Sequence, residues 1–188
     1  MEMGILRPGA GAAIRLLQGF APYRYVGRCF FARGVTIREA TNADKLAVQC
    51  WLNPDGNPEQ ALQRNPQATD WVAHWRGRLA GFVQLVRHPP GQSRYSGYWL
   101  FSLYVKALFK RGGIGEKLSR VVIDRARAEG EQVLDLLVFN DNYRAIQLYR
   151  KLGFAMHTVM ELEAQLELER TPAGRRRVVM RKRLEKQG

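Results

Sequence analysis

The first regular pattern along the chain is a strand followed by a helix. Polar and apolar residues alternate in VTIRE (35–39), which predicts a strand. The next segment, TNADKLAVQCWL (41–52), has apolar residues at helical spacing and an N-cap candidate in Thr41 or Asn42. Residues 53–70 contain three prolines and one Asp-Gly pair, so they predict a loop with a short helix.

The middle of the chain predicts a hairpin and then a central strand. WVAHW (71–75) and LAGFVQLV (79–86) flank Arg76-Gly77-Arg78, which is typical of a β-hairpin. YWLFSLYV (98–105) is apolar on both of its faces, and we therefore expect a strand that is covered on both sides.

The second half of the chain alternates helices and strands. IGEKLSRVVIDRARAEG (114–130) predicts a helix, with apolar residues at positions 114, 118, 121 and 122. VLDLLVF (133–139) predicts a strand, and NYRAIQLYRKLGF (142–154) predicts a helix. Gly130 and Gly153 are the expected ends of the two helices.

Two long strands are predicted at the end, at about residues 154–168 and 175–184. The predicted order is then β-α-α-β-β-β-α-β-α-β-β, which indicates an α/β fold with a mixed sheet and helices packed on it.

Length and composition predict one globular domain with a basic extension in front of it. The chain has 188 residues and is 46% hydrophobic, and we assign residues 35–188 to the domain and residues 1–34 to the extension. The extension is rich in arginine and contains the amphipathic stretch AAIRLLQGF, which is similar to a mitochondrial transit peptide. An appended arm or an upstream start codon is the other interpretation.

Cysteine usage and hydropathy limit the cellular compartments that we expect for the protein. Cys29 and Cys50 form no disulfide or metal-ligand pattern, so we expect no metal and a reducing compartment, the cytoplasm. The mitochondrion is the alternative if residues 1–34 are a transit peptide. No segment approaches the roughly 18 apolar residues of a membrane helix, and no membrane partner is predicted.

The net charge of +13 is concentrated at the two ends of the chain. Residues 1–34 hold five arginines and one glutamate, and residues 170–188 hold eight cations and one acid. The 135 residues between them hold 17 cations and 15 acids. Basic ends are usually solvated tails, so nucleic acid is not the partner that we favour.

KRGGIGEKL (110–118) lies between the central strand and a helix, where it predicts a phosphate site. Glycines let the backbone approach a ligand, and the N-terminus of a helix directs free N–H groups and partial positive charge at one place. Lys110 and Arg111 would reinforce that charge. The spacing fits neither a P-loop nor a G-x-G-x-x-G dinucleotide fingerprint.

LYVKALFKRGGIGEKL (103–118) resembles the coenzyme A loop of the Gcn5-related N-acetyltransferases, the GNAT family, whose pattern is Arg/Gln-x-x-Gly-x-Gly/Ala. NYRAIQLYRKLGF resembles a second element of that family. The resemblance covers about 150 residues, and it departs at Lys110, where Arg or Gln is usual, and at Ala107, where proline is common. The matching residues are Lys110, Arg111, Gly112, Gly113, Ile114 and Gly115 in the loop, and Asn142, Ala145, Leu148, Tyr149, Gly153 and Phe154 in the second element.

The resemblance implies an acetyl transfer from acetyl-CoA to an amine by direct attack in a ternary complex. It implies that the fourth and fifth strands separate and that pantetheine pairs with the backbone in the gap. The pyrophosphate would bind the loop amides, and a strand N–H near Leu103 or Tyr104 would donate to the thioester carbonyl. The implied cofactor-binding residues are Leu103, Tyr104, Val105, Lys110, Arg111, Gly112, Gly113, Ile114, Gly115, Glu116, Asn142 and Tyr149.

The resemblance also suggests catalytic residues. Tyr149 is the candidate acid for the departing sulfur; the alternative is a tyrosine that packs with Ile146 and Leu152. Asn142 would anchor the pantetheine arm, cap its own helix, or do both.

The general base is harder to assign. Some relatives have a glutamate where this chain has Leu137, and Asp135 on the same strand face is the substitute that we consider. His74 is more typical of a packed core histidine. The loop from Asn53 to Asp70, with Asp55, Glu59 and Asp70, is expected to form one wall of the acceptor site.

Other functions remain open at this point. The acceptor could be a protein N-terminus or a lysine side chain instead of a small amine. Two alternatives of another class are a CoA-binding module without turnover and a nucleic-acid-binding module that uses the arginine-rich ends. A homodimer formed through the final strand or the N-terminal arm is a further prediction.

Overall fold

The computed structural model describes residues 34–52, 67–91 and 94–185, in which seven strands form one sheet and four α-helices pack on it. The strands are β1 (Val35–Glu39), β2 (Ala68–Trp75), β3 (Arg78–His88), β4 (Gly97–Val105), β5 (Val133–Phe139), β6 (Ala155–His157) and β7 (Arg177–Arg183). The helices are α1 (Asn42–Leu52), α2 (Ile114–Ala128), α3 (Tyr143–Lys151) and α4 (Met160–Leu168), and a 3₁₀ turn spans Ala107–Phe109.

The sheet is mixed and mostly antiparallel. Its strand order is β1-β2-β3-β4-β5-β7-β6, and β4 with β5 is the one parallel pair among the described strands. A parallel pair needs a crossover connection, and α2 supplies it. The predicted α/β fold class and the central position of β4 are confirmed.

The two faces of the sheet are covered by different helices. α2 and α3 cover one face, where Leu118 and Ile146 join the largest apolar cluster with Leu100 and Leu136. The opposite face carries two smaller clusters, one under α1 around Val48 and one under α4. Alternate residues of each strand point to opposite faces, so an apolar run such as YWLFSLYV can serve both layers.

The prediction of a strand over residues 154–168 is wrong beyond its first residues. β6 ends at His157, and α4 follows. MELEAQLEL alternates apolar and polar residues as a strand does, but Leu162 and Leu166 are also four residues apart and therefore share one helix face. Both are buried on the sheet, and Glu, Leu, Met, Ala and Gln favour helices. The last predicted strand is confirmed as β7.

Helix α1 begins with a reciprocal cap. The Asp44 backbone N–H donates to the Thr41 hydroxyl oxygen at 3.3 Å, and the Thr41 N–H donates to the Asp44 carboxylate at 2.8 Å. Arg38 adds a bidentate contact. Burial opposes ionisation of Asp44, but the hydrogen bonds from Arg38 and Thr41 outweigh it and lower the pKa of Asp44 to about 2.

The basic C-terminal segment is not a solvated tail in its described part. Arg175 to Arg177 and Arg181 lie in or next to β7, and each forms an ion pair. Their acidic partners come from α4 and its C-cap and from the segment around β5: Asp135, Asp141, Glu163, Glu167 and Glu169. Much of the positive charge in this segment is therefore balanced within the domain.

Several predictions concern residues outside the described ranges. The basic extension, up to residue 33, is one of them, and the short helix, Asp55 and Glu59 within residues 53–66 are the others. Asp70 belongs to β2 and not to the loop: it is 4% exposed, accepts a hydrogen bond from Gln84 at 2.8 Å and lies 3.8 Å from Lys45. No helix in the described part of the chain is long and apolar enough to cross a membrane.

Candidate active site

The centre of the site is a gap between β4 and β5. The two strands pair at only three positions, from Tyr98 opposite Leu134 to Leu100 opposite Leu136. Beyond Leu100, β4 continues to Val105 and β5 continues to Phe139, but the two strands no longer pair with each other. The predicted separation of these strands is therefore present, and it leaves backbone groups of residues 101–105 available on one edge.

A β-bulge shapes the β4 edge of this gap. On β3, Gln84 pairs with Phe101 but Phe82 pairs with Tyr104, so β4 has one residue more than β3 between these pairs. Ser102 has φ 54°, which is uncommon for a residue other than glycine. Bulges re-aim the backbone and are enriched next to active sites. The role of Ser102 could not be predicted from the sequence, because a serine in an apolar strand gives no signal for a bulge.

The N-terminus of α2 has no side-chain cap, whereas α3 is capped by Asn142. Gly113 occupies the N-cap position at φ 80°, and no side chain caps it. The backbone N–H groups of Gly113, Ile114 and Gly115 make no hydrogen bond within the described residues. We call these three amides the phosphate cradle. Free amides at a helix N-terminus bind anions.

Gly113, at the N-cap, and Gly115, in the first turn of α2, have different roles in the cradle. A Cβ built on Gly113 meets nothing within 4 Å, so a side chain there would extend into open space beside the cradle. A Cβ on Gly115 would lie 3.5 Å from Leu148, 3.7 Å from Val105 and 3.9 Å from Leu103. Gly115 therefore brings α2 close to β4 and α3 at the edge of the gap. This geometry fits a diphosphate on the cradle and an extended arm in the gap.

Glu116, the first acid of α2, is balanced by two cations. Lys151 Nζ lies 2.6 Å from one carboxylate oxygen, and Arg120 lies 3.0 Å from the other. The bond to Lys151 and that to Arg120 outweigh burial and lower the pKa of Glu116. The ion pair with Lys151 also joins the start of α2 to the end of α3, the helix that carries Tyr149.

The two cations that precede the glycines lie at the surface. Lys110 is exposed, and its ammonium lies 5.9 Å from the centre of the Tyr104 ring. Arg111 is exposed and has φ 66°. The side chains of Leu103 and Val105 are partly buried in the large apolar cluster, whereas Tyr104 is 43% exposed.

Tyr149 lies in the apolar layer between α3 and the sheet. It is 6% exposed, and its ring contacts Phe154 edge-on at 5.8 Å. The backbone of Gly153 donates to Arg150 O and that of Phe154 donates to Tyr149 O, which is the Schellman closure of a helix. Within the described residues the Tyr149 hydroxyl makes no hydrogen bond. Burial raises the pKa of Tyr149, so the phenol keeps its proton.

Asn142 caps its own helix. Its side-chain oxygen accepts a hydrogen bond from the Ala145 N–H at 3.2 Å. This contact supports the capping interpretation of the sequence, and the pantetheine contact stays a prediction.

Asp135 has a structural partner. Its carboxylate accepts two hydrogen bonds from Arg181, at 2.7 and 2.6 Å, and the residue is 1% exposed. Asp135 also lies opposite Trp99, where β4 and β5 are still paired, and so not in the open part of the gap. We therefore do not carry Asp135 forward as the general base. His74 is likewise engaged, 3.4 Å from Asp44.

Comparison with known proteins agrees with this geometry. Residues 36–154 match the Acetyltransferase (GNAT) family, which is more than half of the chain. The chain belongs to the GNAT acetyltransferase family. The family resemblance found in the two sequence motifs is thereby confirmed, as is the predicted enzyme class, the acyltransferases.

Curated relatives of this GNAT chain match only part of it. It is 34% identical over 92 residues to N-acetyltransferase family 8 member 2 of Rattus norvegicus, a match covering 48% of the chain and 40% of that protein. It is 35% identical over 116 residues to a mycothiol acetyltransferase of Saccharomonospora viridis, covering 53% of the chain and 38% of the relative. The chain thus spans less than half the length of these two relatives.

Solved structures share the GNAT fold over most of the chain. The ribosomal-protein-S18-alanine N-acetyltransferase of Escherichia coli superposes with a TM-score of 0.62 at 21% identity, covering 82% of this chain and 96% of that one. YncA from Salmonella typhimurium, solved with its cofactor acetyl-CoA, gives 0.62 at 20% identity with the same coverage. At these identities the likeness concerns the fold alone.

Proposed function

We propose that this GNAT chain is an N-acetyltransferase that transfers the acetyl group of acetyl-CoA to an amine by direct attack in a ternary complex. The observation that carries the proposal is the phosphate cradle beside the gap between β4 and β5. A diphosphate and an amide-rich thioester arm need these two features next to each other. The YncA neighbour was solved with acetyl-CoA, which supports this donor, and the curated relatives are named as acetyltransferases, which supports acetyl transfer.

The cradle and the edge of β4 would hold the two ends of the donor. The amides of Gly113 to Gly115 would bind the diphosphate. The unpaired backbone of Leu103 to Val105 would bind the pantetheine amides as an added strand does. An N–H near the Ser102 bulge would donate to the thioester carbonyl oxygen as negative charge develops on it. Holding both reactants in one gap supplies much of the rate through proximity.

Tyr149 would stabilise the departing sulfur. Its raised pKa keeps the hydroxyl neutral, so it can donate a hydrogen bond to the thiolate. Full transfer of its proton to a thiolate with a pKa near 8.5 is uphill. In the proposed reaction the amine nitrogen forms a bond to the acetyl carbon, the carbon–sulfur bond breaks, and a proton lost by the amine ends on the thiol.

The proposal is tested by ligand-induced stabilisation with a matched pair of glycine variants. Gly113 and Gly130 have φ 80° and 81°, and a Cβ at either meets nothing within 4 Å. Leucine at either position therefore carries a similar backbone strain, but only Gly113→Leu places a side chain beside the cradle. Saturating acetyl-CoA is expected to raise the Tm of the unchanged chain and of Gly130→Leu by several degrees, and to leave that of Gly113→Leu unchanged.

The result also separates the competing functions. No shift for the unchanged chain would refute the proposal. A shift without release of free thiol, across a panel of amines and peptides, would indicate a CoA-binding module without turnover. Release only with peptides would assign the activity to protein N-termini or lysine side chains.

A further inference from the structure

The two faces of the gap differ in what can reach them. The cradle lies at the start of α2, so a donor bound there occupies the face that α2 and α3 cover. With the donor on that face, the opposite face of the gap, on which α1 packs, is the one left for the amine. The residue of β4 that projects there beside the gap is Tyr104, whose neighbours Leu103 and Val105 point to the first face. This inference rests on the proposed function, because it concerns the acceptor of the same reaction.

Tyr104 is part of a group of two aromatic rings and two lysines. Its ring meets the Trp51 ring of α1 edge-on, with centres 4.6 Å apart. The ammonium of Lys106 lies 4.8 Å from the centre of the Trp51 ring, and that of Lys110 lies 5.9 Å from the centre of the Tyr104 ring. We call these four residues the aromatic–lysine platform. Its rings orient the two cations at the end of β4, next to the open part of the gap.

The charge of the platform is not neutralised within the described residues. Neither Lys106 nor Lys110 forms an ion pair with a described acid, and sequence positions 71–115 contain no Asp or Glu. An acceptor with its own negative group would be attracted and oriented.

A cavity of about 380 Å³ adjoins the platform, because Lys106 of the platform also lines the cavity. Arg78 is a second cation in the cavity wall and the third cation of this region. The apolar part of the wall consists of Leu79, from the cluster under α1, and of Leu108 and Phe109, from the large cluster. A cavity of this kind suits a small ligand with one anionic group and one apolar group.

We infer that the acceptor is a primary amine that carries an anionic group, a carboxylate or a phosphate, together with an apolar side group. The platform binds the anion and directs the amine into the gap. Lys106, which lines both the platform and the cavity, is the main specificity residue. Amino acids and their derivatives have this chemistry, and so do phosphorylated amino alcohols.

The experiment compares amines that differ only in the anion, read by free-thiol release from acetyl-CoA. L-phenylalanine is paired with 2-phenylethylamine, and O-phosphoethanolamine is paired with ethanolamine, so the two pairs distinguish carboxylate from phosphate. We expect kcat/KM to be at least about tenfold higher for the anionic member of one pair. In Lys106→Met this preference should fall to about one, through a rise in KM with little change in kcat.

A matched control removes the same charge elsewhere. Arg183 is exposed at the end of β7, opposite Val133 and so at the closed end of the gap. Arg183→Met should keep the preference of the unchanged chain, and Lys106→Glu should reverse it in favour of the amine that lacks the anion. Stabilisation by acetyl-CoA should be the same in all three variants.

The outcomes separate the inference from the proposed function. Equal or better turnover of 2-phenylethylamine and ethanolamine, with normal stabilisation by acetyl-CoA, would overturn the inference and leave the acetyltransferase proposal standing. An unchanged preference in Lys106→Met would overturn it as well. Loss of both acetyl-CoA stabilisation and thiol release in the unchanged chain would instead refute the proposed function, and the inference with it.

Discussion

Replacing Asp135 by asparagine distinguishes a structural carboxylate from a catalytic base. Asn keeps the size and shape of the side chain but cannot carry the charge that two Arg181 nitrogens contact at 2.6 and 2.7 Å. If the role of Asp135 is structural, as its burial indicates, the change should lower stability and leave the chemistry nearly intact.

The magnitude follows from the environment of the pair. Removing one partner of a buried ion pair costs about 3–5 kcal/mol. The Asp135 side chain is 2% exposed, but that of Arg181 is 31% exposed, so water can solvate the guanidinium that is left behind. We therefore expect a loss of about 2–3 kcal/mol of the free energy of unfolding. For a chain of this length that corresponds to a fall in Tm of roughly 5–10 °C.

Two measurements and a double variant make the test decisive. Urea denaturation gives the free energy of unfolding, and free-thiol release well below the Tm gives kcat. Asp135→Leu combined with Arg181→Met replaces the pair by apolar side chains and should recover much of the lost stability. A kcat that falls about 100-fold or more in Asp135→Asn with unchanged stability would refute our reasoning and restore the base role.

Three further predictions address catalysis, pH and the ion pair between Glu116 and Lys151. Tyr149→Phe should retain acetyl-CoA stabilisation but lower kcat about tenfold or more, since only the hydroxyl is removed; an unchanged kcat would reject its role. Asp44 has a folded pKa of about 2 against an ordinary value of 3.8, so its carboxylate stabilises the fold above about pH 4 and this contribution is lost as pH falls towards 2. Asp44→Asn should therefore cost about 1–2 kcal/mol at pH 7, a difference that closes at acid pH in urea titrations and would be absent if the cap were unimportant. Glu116→Lys and Lys151→Glu should each lower the free energy of unfolding measured in urea, and the double exchange should restore part of it; strictly additive effects would argue against coupling through this ion pair.

The site was predictable where the function depends on local chain chemistry. A strand, a glycine-rich turn and a helix N-terminus are consecutive along the chain, so the residue order alone is enough to predict a phosphate site on the amides of Arg111 to Glu116, which include the cradle. The helix from Tyr143 to Lys151 and its glycine closure are equally local. The bulge at Ser102 and the platform of Trp51, Tyr104 and Lys106 were not predictable, because both depend on how β4 meets other elements.

By itself, the sequence determined most of the element order, the family, and the place where a phosphate would bind, because alternation, helical spacing and glycine act within a few residues. Only the tertiary structure decided three other questions. It turned residues 160–168 into a helix, since their pattern fits both periods and the sheet offered a face for Leu162 and Leu166. It neutralised the arginines of β7 and joined Asp135 to Arg181. These two residues are 46 positions apart and meet only when the sheet is assembled. For that reason the sequence suggested Asp135 as a general base, whereas in the structure it is half of a buried ion pair.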